Sequence, residues 1–151
     1  MPCLTDALLL VDDNPDDVAL TLRAFKLVKL LNPVMVVHDG VEALDFLFAR
    51  GAHHAQRGQP LPKLVVLDLK LPRLDGLGVL KAVRADPRTR LVPVLMLTSS
   101  TLQEDLVACY AFGANSYLVK PIDFSEFVDM ARLLTTYWLT MNLSAPMKVP
   151  A

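Results

Sequence analysis

Short apolar runs alternate along the chain with longer segments whose apolar residues recur at helical spacing. Residues 7–11, 34–37, 64–67, 94–97 and 116–119 are runs of this first kind. Being largely apolar rather than alternating, they predict strands buried on both faces. Between them the helical period returns. Asn14 and Pro15 suit the cap and first position of a helix over residues 15–28. Val41, Leu44 and Phe48 share one face of a second, over residues 41–49. A third covers residues 78–85 and stops at Asp86-Pro87, and a fourth covers residues 102–112 and closes at Gly113. The last, over residues 124–141, opens with Asp123 and Glu126 at the spacing of a capping box. Residues 50–63, rich in Gly, Pro and polar side chains, read as a loop.

Five such strands separated by helices require a parallel sheet covered on both sides. The predicted fold class is therefore α/β: a doubly wound five-stranded parallel sheet, its functional crevice at the carboxyl ends of the strands. Residues 1–142 are expected to form one domain. Residues 143–151 are expected to be a tail, holding Pro146 and Pro150, too short to be an output module.

Composition narrows the class further. A chain of 151 residues with 53% hydrophobic and 21% charged positions cannot be disordered. Lys and Arg total 15 against 16 Asp and Glu, a net charge of −1 that argues against nucleic acid or an anionic membrane as a partner engaged through bulk charge. Cys3 and Cys109 form no CxxC motif and no disulfide framework, which fits a reducing cytoplasm. The first residues lack a basic signal-peptide region, and no uncharged stretch reaches the roughly 20 residues of a membrane span. A cytoplasmic protein is expected.

Chemistry collects just after the strands. The first delivers Asp12 and Asp13, the third Asp68, the fourth Thr98 with Ser99 and Ser100, and the fifth Lys120 followed by Pro121. Two carboxylates about 5 Å apart repel by roughly 3 kcal/mol at an effective dielectric near 20. Three stay ionised only with cations among them, and Lys120 supplies one charge. A hard divalent ion on oxygen ligands, Mg2+ above all, closes the gap. A carboxylate at such an ion, flanked by a hydroxyl and an ammonium, is arranged to attack phosphorus.

The motifs Val11-Asp12-Asp13-Asn14, Leu67-Asp68-Leu69-Lys70-Leu71-Pro72-Arg73-Leu74-Asp75-Gly76, Leu97-Thr98-Ser99 and Val119-Lys120-Pro121 together resemble the receiver domain of two-component response regulators. The resemblance spans nearly the whole chain. It implies that Asp68 accepts a phosphoryl group from a sensor histidine kinase, making the chain a phosphoacceptor rather than an enzyme. It also implies that Asp13 ligates Mg2+, that Asp12 helps bind it, and that the backbone carbonyl of Lys70 completes the protein ligands. Thr98 and Tyr117 become a switch pair acting on the surface of helix four, strand five and helix five, and Lys120-Pro121 a cis peptide. The loop before Leu64, the stretch Gly113-Ala114-Asn115-Ser116-Tyr117 and the Tyr137-Trp138 ending are similar to single-domain regulators partnered with bacterial and cyanobacterial phytochromes.

Simpler roles suit other residues. Asp16 and Asp17 read as acids favouring a helix N-terminus, Asp75-Gly76 as turn chemistry, and His53 and His54 as ordinary loop residues. Gly76-Leu77-Gly78 does not complete a dinucleotide fingerprint, since Lys81 takes the third glycine position. Phe127, Met130, Ala131, Leu134, Trp138 and Met141 form one apolar stripe, broadened by Tyr137. With Tyr110 on helix four, the residues Phe127, Met130, Leu134, Tyr137 and Trp138 form a candidate homodimer surface.

Two rival readings stand beside the receiver. One is an aspartyl-nucleophile phosphohydrolase, but such enzymes place an acid two residues after the nucleophile, where this chain has Lys70. The other is a dimeric interaction module that works without phosphorylation.

Overall fold

Every residue of β1 (Leu8–Val11), β3 (Leu64–Leu67) and β4 (Val94–Thr98) is buried, as a strand between two helical layers must be. The computed structural model describes residues 6–146; Cys3 and the end of the tail lie outside them. In chain order β1 is followed by α1 (Pro15–Leu27), β2 (Val34–Val37), α2 (Gly40–Leu47), β3, α3 (Gly76–Ala85), β4, α4 (Gln103–Ala111), β5 (Ser116–Val119) and α5 (Phe124–Thr136). All strand pairs are parallel, in the order β2-β1-β3-β4-β5.

Alternate residues of one strand serve opposite layers. Leu9 and Val11 enter a core with Ala43, Leu47, Val79, Leu80 and Cys109, from α2, α3 and α4. Leu8 and Leu10 enter the other with Ala24, Phe25, Phe127 and Ala131, from α1 and α5. Each fully buried Leu or Val contributes roughly 1.5–3 kcal/mol of apolar burial, so the sheet is held from both sides.

The helix starts follow local chemistry. The Asn14 side chain accepts from the backbone N–H groups of Asp16 and Asp17, with Pro15 at the first helical position. The third helix starts at Gly76 rather than residue 78, because Asp75 caps it by accepting from Gly78 N–H at 2.8 Å. Asp123 accepts from Ser125 N–H at the head of α5. The expected turn role of Asp75-Gly76 is thus a helix start. At the opposite edge of the sheet Arg84 donates to the carbonyls of Gly113, Arg90 and Val92 and to the Asn115 side chain, tying the loops beside β4 and β5 together.

Two departures from the sequence reading occur. Part of the loop over residues 50–63 forms a short 3-10 helix, Gly51–Gln56, with the His53 ring edge-on to Phe46 at 5.4 Å. The last helix keeps α geometry only to Thr136; a wider π-helical turn, Tyr137–Met141, follows. Lys63 donates to the Leu139 carbonyl at 3.0 Å across this turn, and the Leu139 side chain joins the core. No helix among the described residues is long and apolar enough to cross a membrane.

Gly76 fits where no other residue does. A Cβ there lies 2.0 Å from the Asp68 carbonyl oxygen and 2.8 Å from Leu69 Cα. Gly76→Ala therefore forces α3 away from the end of β3. Chemical denaturation is expected to show a loss of about 1–3 kcal/mol; an unchanged midpoint would refute this close approach.

Candidate functional site

Strand register assembles the site. Val11 of β1 stands opposite Leu67 of β3, so the next residues, Asp12 and Asp68, leave the sheet side by side. Lys120 N–H donates to the Thr98 carbonyl at 2.8 Å, which brings the ends of β4 and β5 to the same edge. The order of strands reverses across β1 and β3, where a doubly wound sheet opens its crevice. A cleft of about 530 Å³ lies there, lined among others by Asp13, Asp17, Asp68, Lys70, Thr98 and Lys120.

Lys120 is the centre of this cleft. Its ammonium donates to Asp12 Oδ2 at 2.9 Å, Asp17 Oδ2 at 2.8 Å and Asp68 Oδ2 at 2.8 Å. The Lys120 side chain is 9% exposed, against 3% for Asp12, 12% for Asp68 and 36% for Asp17. Burial works against the ammonium, yet the hydrogen bonds to Asp17, Asp68 and Asp12 outweigh it and hold Lys120 charged above the ordinary lysine range. Burial also raises Asp12, more than its bonds from Lys120 and from Asn14 N–H lower it. Asp68 Oδ1 accepts from Leu69 N–H at 2.7 Å.

Carboxylate oxygens of Asp12, Asp13 and Asp68 lie within 4.8 Å of one another. Four carboxylates, those of Asp12, Asp13, Asp17 and Asp68, gather around the single Lys120 ammonium. Counting also the exposed Lys70 that lines the cleft, negative charges still exceed positive ones by two. Hard oxygen donors this close, and this short of positive charge, suit Mg2+ or Mn2+. His53 and His54 take no part in any comparably tight group among the described residues.

Thr98 is buried and its Oγ1 accepts from Ser100 N–H at 3.2 Å. The Ser100 hydroxyl donates to Asp105 of α4 at 2.6 Å, and its carbonyl accepts from the Tyr117 hydroxyl at 3.1 Å. Tyr117 packs partly buried against the core, and burial raises its phenol above the ordinary range. Ser100 thus joins the Thr98 hydroxyl to β5 and to α4.

This edge-of-sheet constellation accords with a match of residues 8–132 to the family model for the response regulator receiver domain. The chain belongs to that family. This receiver domain is 38% identical over 137 residues to the probable methanogenesis regulatory protein FilR2 of Methanothrix harundinacea, covering 91% of this chain and 86% of the relative. It is 32% identical over 139 residues to the response regulator Rcp1 of Synechocystis, covering 91% and 92%. Among solved structures, the Mn2+-bound form of Rcp1 superposes with a TM-score of 0.84 and 29% identity, over 93% of this chain and 99% of that one. The bacteriophytochrome response regulator AtBRR does so with a TM-score of 0.74 and 43% identity, over 91% and 98%.

Some expected site residues need correction. Lys120-Pro121 is not cis: the described residues contain no cis peptide. The trans form is the lower-energy one for an X-Pro bond, and Lys120 reaches all three of its carboxylates with it. Phe127 and Leu134 are 2% and 6% exposed and belong to this domain's own core, so neither is open to a partner. The part of the stripe that lies on α5 faces this core, while Met141 at its far end is 70% exposed. Tyr110 and Tyr137 are 50% and 48% exposed, and Met130 and Trp138 are partly buried beside the core. Leu133, 72% exposed, is the surface residue that the stripe leaves out. Asp17 was also outside the expected site, and the signal for it is its place on the first turn of a helix that starts at the carboxyl edge.

The charge arithmetic predicts opposite effects of two substitutions in metal-free protein. Lys120→Met strands ionised, largely buried acids and is expected to cost about 3–5 kcal/mol near neutral pH. Asp12→Asn removes a carboxylate whose native pKa is raised, hence one whose ionised form folding disfavours, and is expected to stabilise. Lys120's own contribution is full below the ordinary lysine value of 10.5 and fades as pH rises through its raised value. Urea midpoints measured from pH 5 to 11 test this, with a constant Lys120 contribution up to about pH 10; stabilisation by Lys120→Met at pH 7 would contradict it.

Proposed function

We propose that this response regulator receiver accepts a phosphoryl group from a sensor histidine kinase onto Asp68, and that the sensor is a phytochrome. The observation that carries this reading is the placement of Lys120, Thr98 and the Asp12, Asp13 and Asp68 carboxylates around one open cleft. A carboxylate oxygen of Asp68 attacks the phosphorus of a phosphohistidine. The O–P bond forms as the N–P bond breaks, and the imidazole leaves with the electron pair. Lys120 and Thr98 hold phosphoryl oxygens, so that positioning and charge neutralisation supply most of the acceleration. Asp12, Asp13, Asp68 and the Lys70 backbone carbonyl are the residues that would hold Mg2+, which when bound offsets charge on the phosphoryl oxygens. The similarity to AtBRR and Rcp1 supports both the phytochrome sensor and the metal.

The Thr98 hydroxyl accepts from Ser100 and retains its own proton for a phosphoryl oxygen. A new anion on Asp68 pulls on Thr98, and the Ser100 bonds pass that pull to Tyr117 and Asp105. The α4–β5–α5 surface responds. It carries exposed Leu106, Val107, Tyr110, Leu133 and Tyr137, and a second copy of the chain is the proposed partner there.

Incubation with phosphoramidate is expected to add a single phosphoryl mass that requires Mg2+ and is absent from Asp68→Asn. Light scattering on the same samples reads the dimer. An unlabelled wild-type chain, or equal labelling of Asp68→Asn, would overturn the reading.

A further inference from the structure

Asp17 answers a question that the phosphotransfer reading leaves open: what holds Lys120 once the other carboxylates are occupied. An ammonium has three protons, and Lys120 spends them on Asp12, Asp17 and Asp68. Asp12 and Asp68 belong to the group of oxygens close enough to share a cation; Asp17 does not. Phosphorylation turns the Asp68 carboxylate into an acyl phosphate and moves the negative charge out to the phosphoryl oxygens, so Lys120 must exchange that partner for a new one. The only one of Lys120's three partners with neither demand on it is Asp17, which approaches from α1 rather than from the strand ends.

We propose that Asp17 is a positioning residue for phosphotransfer, anchoring the Lys120 ammonium at Asp68 through metal binding and acylation. Its place is secured by the sequence before it. Asn14 accepts from the Asp16 and Asp17 backbone N–H groups, which fixes the first turn of α1 and aims the Asp17 carboxylate into the cleft. The bond to Lys120 is as short as the one to Asp68, although Asp17 is three times as exposed. Neighbouring Asp16 sits exposed on the same turn with the same charge, and Lys120 does not reach it. That neighbour is a built-in control for charge alone.

The test uses the full chain with phosphoramidate and saturating Mg2+, following the phosphoryl adduct by intact mass. Loss of a hydrogen bond to a charged group predicts labelling about tenfold slower in Asp17→Ala, with Asp16→Ala within about twofold of wild type. Asp17→Glu restores most of the rate, as a purely structural role for the helix turn would not require. In a Lys120→Met background, labelling followed over hours, the Asp17→Ala loss disappears, because the two residues act as one unit. Should Asp17→Ala not fold, Asp17→Asn, which keeps an acceptor oxygen without charge, is expected to fall between it and wild type. Labelling of Asp17→Ala at the wild-type rate, an equal loss in Asp16→Ala, or an undiminished loss beside Lys120→Met overturns the proposal while leaving Asp68 chemistry intact. A wild-type chain that takes no label overturns both, since the anchoring role rests on phosphotransfer to Asp68.

Discussion

One ammonium group shared among carboxylates from three different elements organises the active edge of this receiver domain. Lys120 arrives on β5, Asp12 on β1, Asp68 on β3 and Asp17 on α1, and they meet within 2.9 Å of a single nitrogen. Without that nitrogen the carboxylates would repel one another in a largely buried cleft. With it they are held together and still short of positive charge. That shortfall is the chemical potential of the site, since it favours whatever cation arrives and resists a bare anion until one does.

The sheet exists, from this viewpoint, to hold those charges in register. Parallel pairing with Val11 opposite Leu67 puts Asp12 beside Asp68, and Gly76 lets α3 press on the Asp68 backbone from the other side. A slip of one residue in either strand would send an aspartate to the opposite face of the sheet. Both faces of β1 and β3 are buried in apolar side chains, so any such slip carries the cost of a mismatched core. Ser100 extends the same economy to the neighbouring strand. One residue receives the Tyr117 hydroxyl, donates to Thr98 and reaches Asp105, so a local charge at Asp68 has a short covalent and hydrogen-bonded route to α4 and β5.

Much of this could be read from the chain because parallel strands announce themselves as unbroken apolar runs, and the residue that follows each run must lie at one edge. The five strands and the convergence of Asp12, Asp13, Asp68, Thr98 and Lys120 follow from that rule. What escaped it depends on three-dimensional proximity rather than on order along the chain. Asp17 looks like an ordinary acid at a helix N-terminus, and only the direction of α1 reveals that it meets Lys120. Phe127 and Leu134 share an apolar stripe with Met130 and Trp138, and a helical period cannot say where a core-facing side ends and a partner-facing one begins. The widened turn at Tyr137–Met141 has no spacing signature, since it appears with the bond from Lys63, distant in sequence.

If an unmet negative charge at Asp12, Asp13 and Asp68 governs the site, the unphosphorylated chain must bind a divalent ion by itself. Titration with Mn2+ read by electron paramagnetic resonance measures this without kinase, phosphodonor or turnover. The expected result is a single saturable ion per chain, displaced by Mg2+ and weakened about tenfold or more in Asp13→Asn, as loss of a charged oxygen donor requires. A chain that holds no Mn2+, or an Asp13→Asn variant that binds it as well as wild type does, would contradict the charge balance proposed for the cleft.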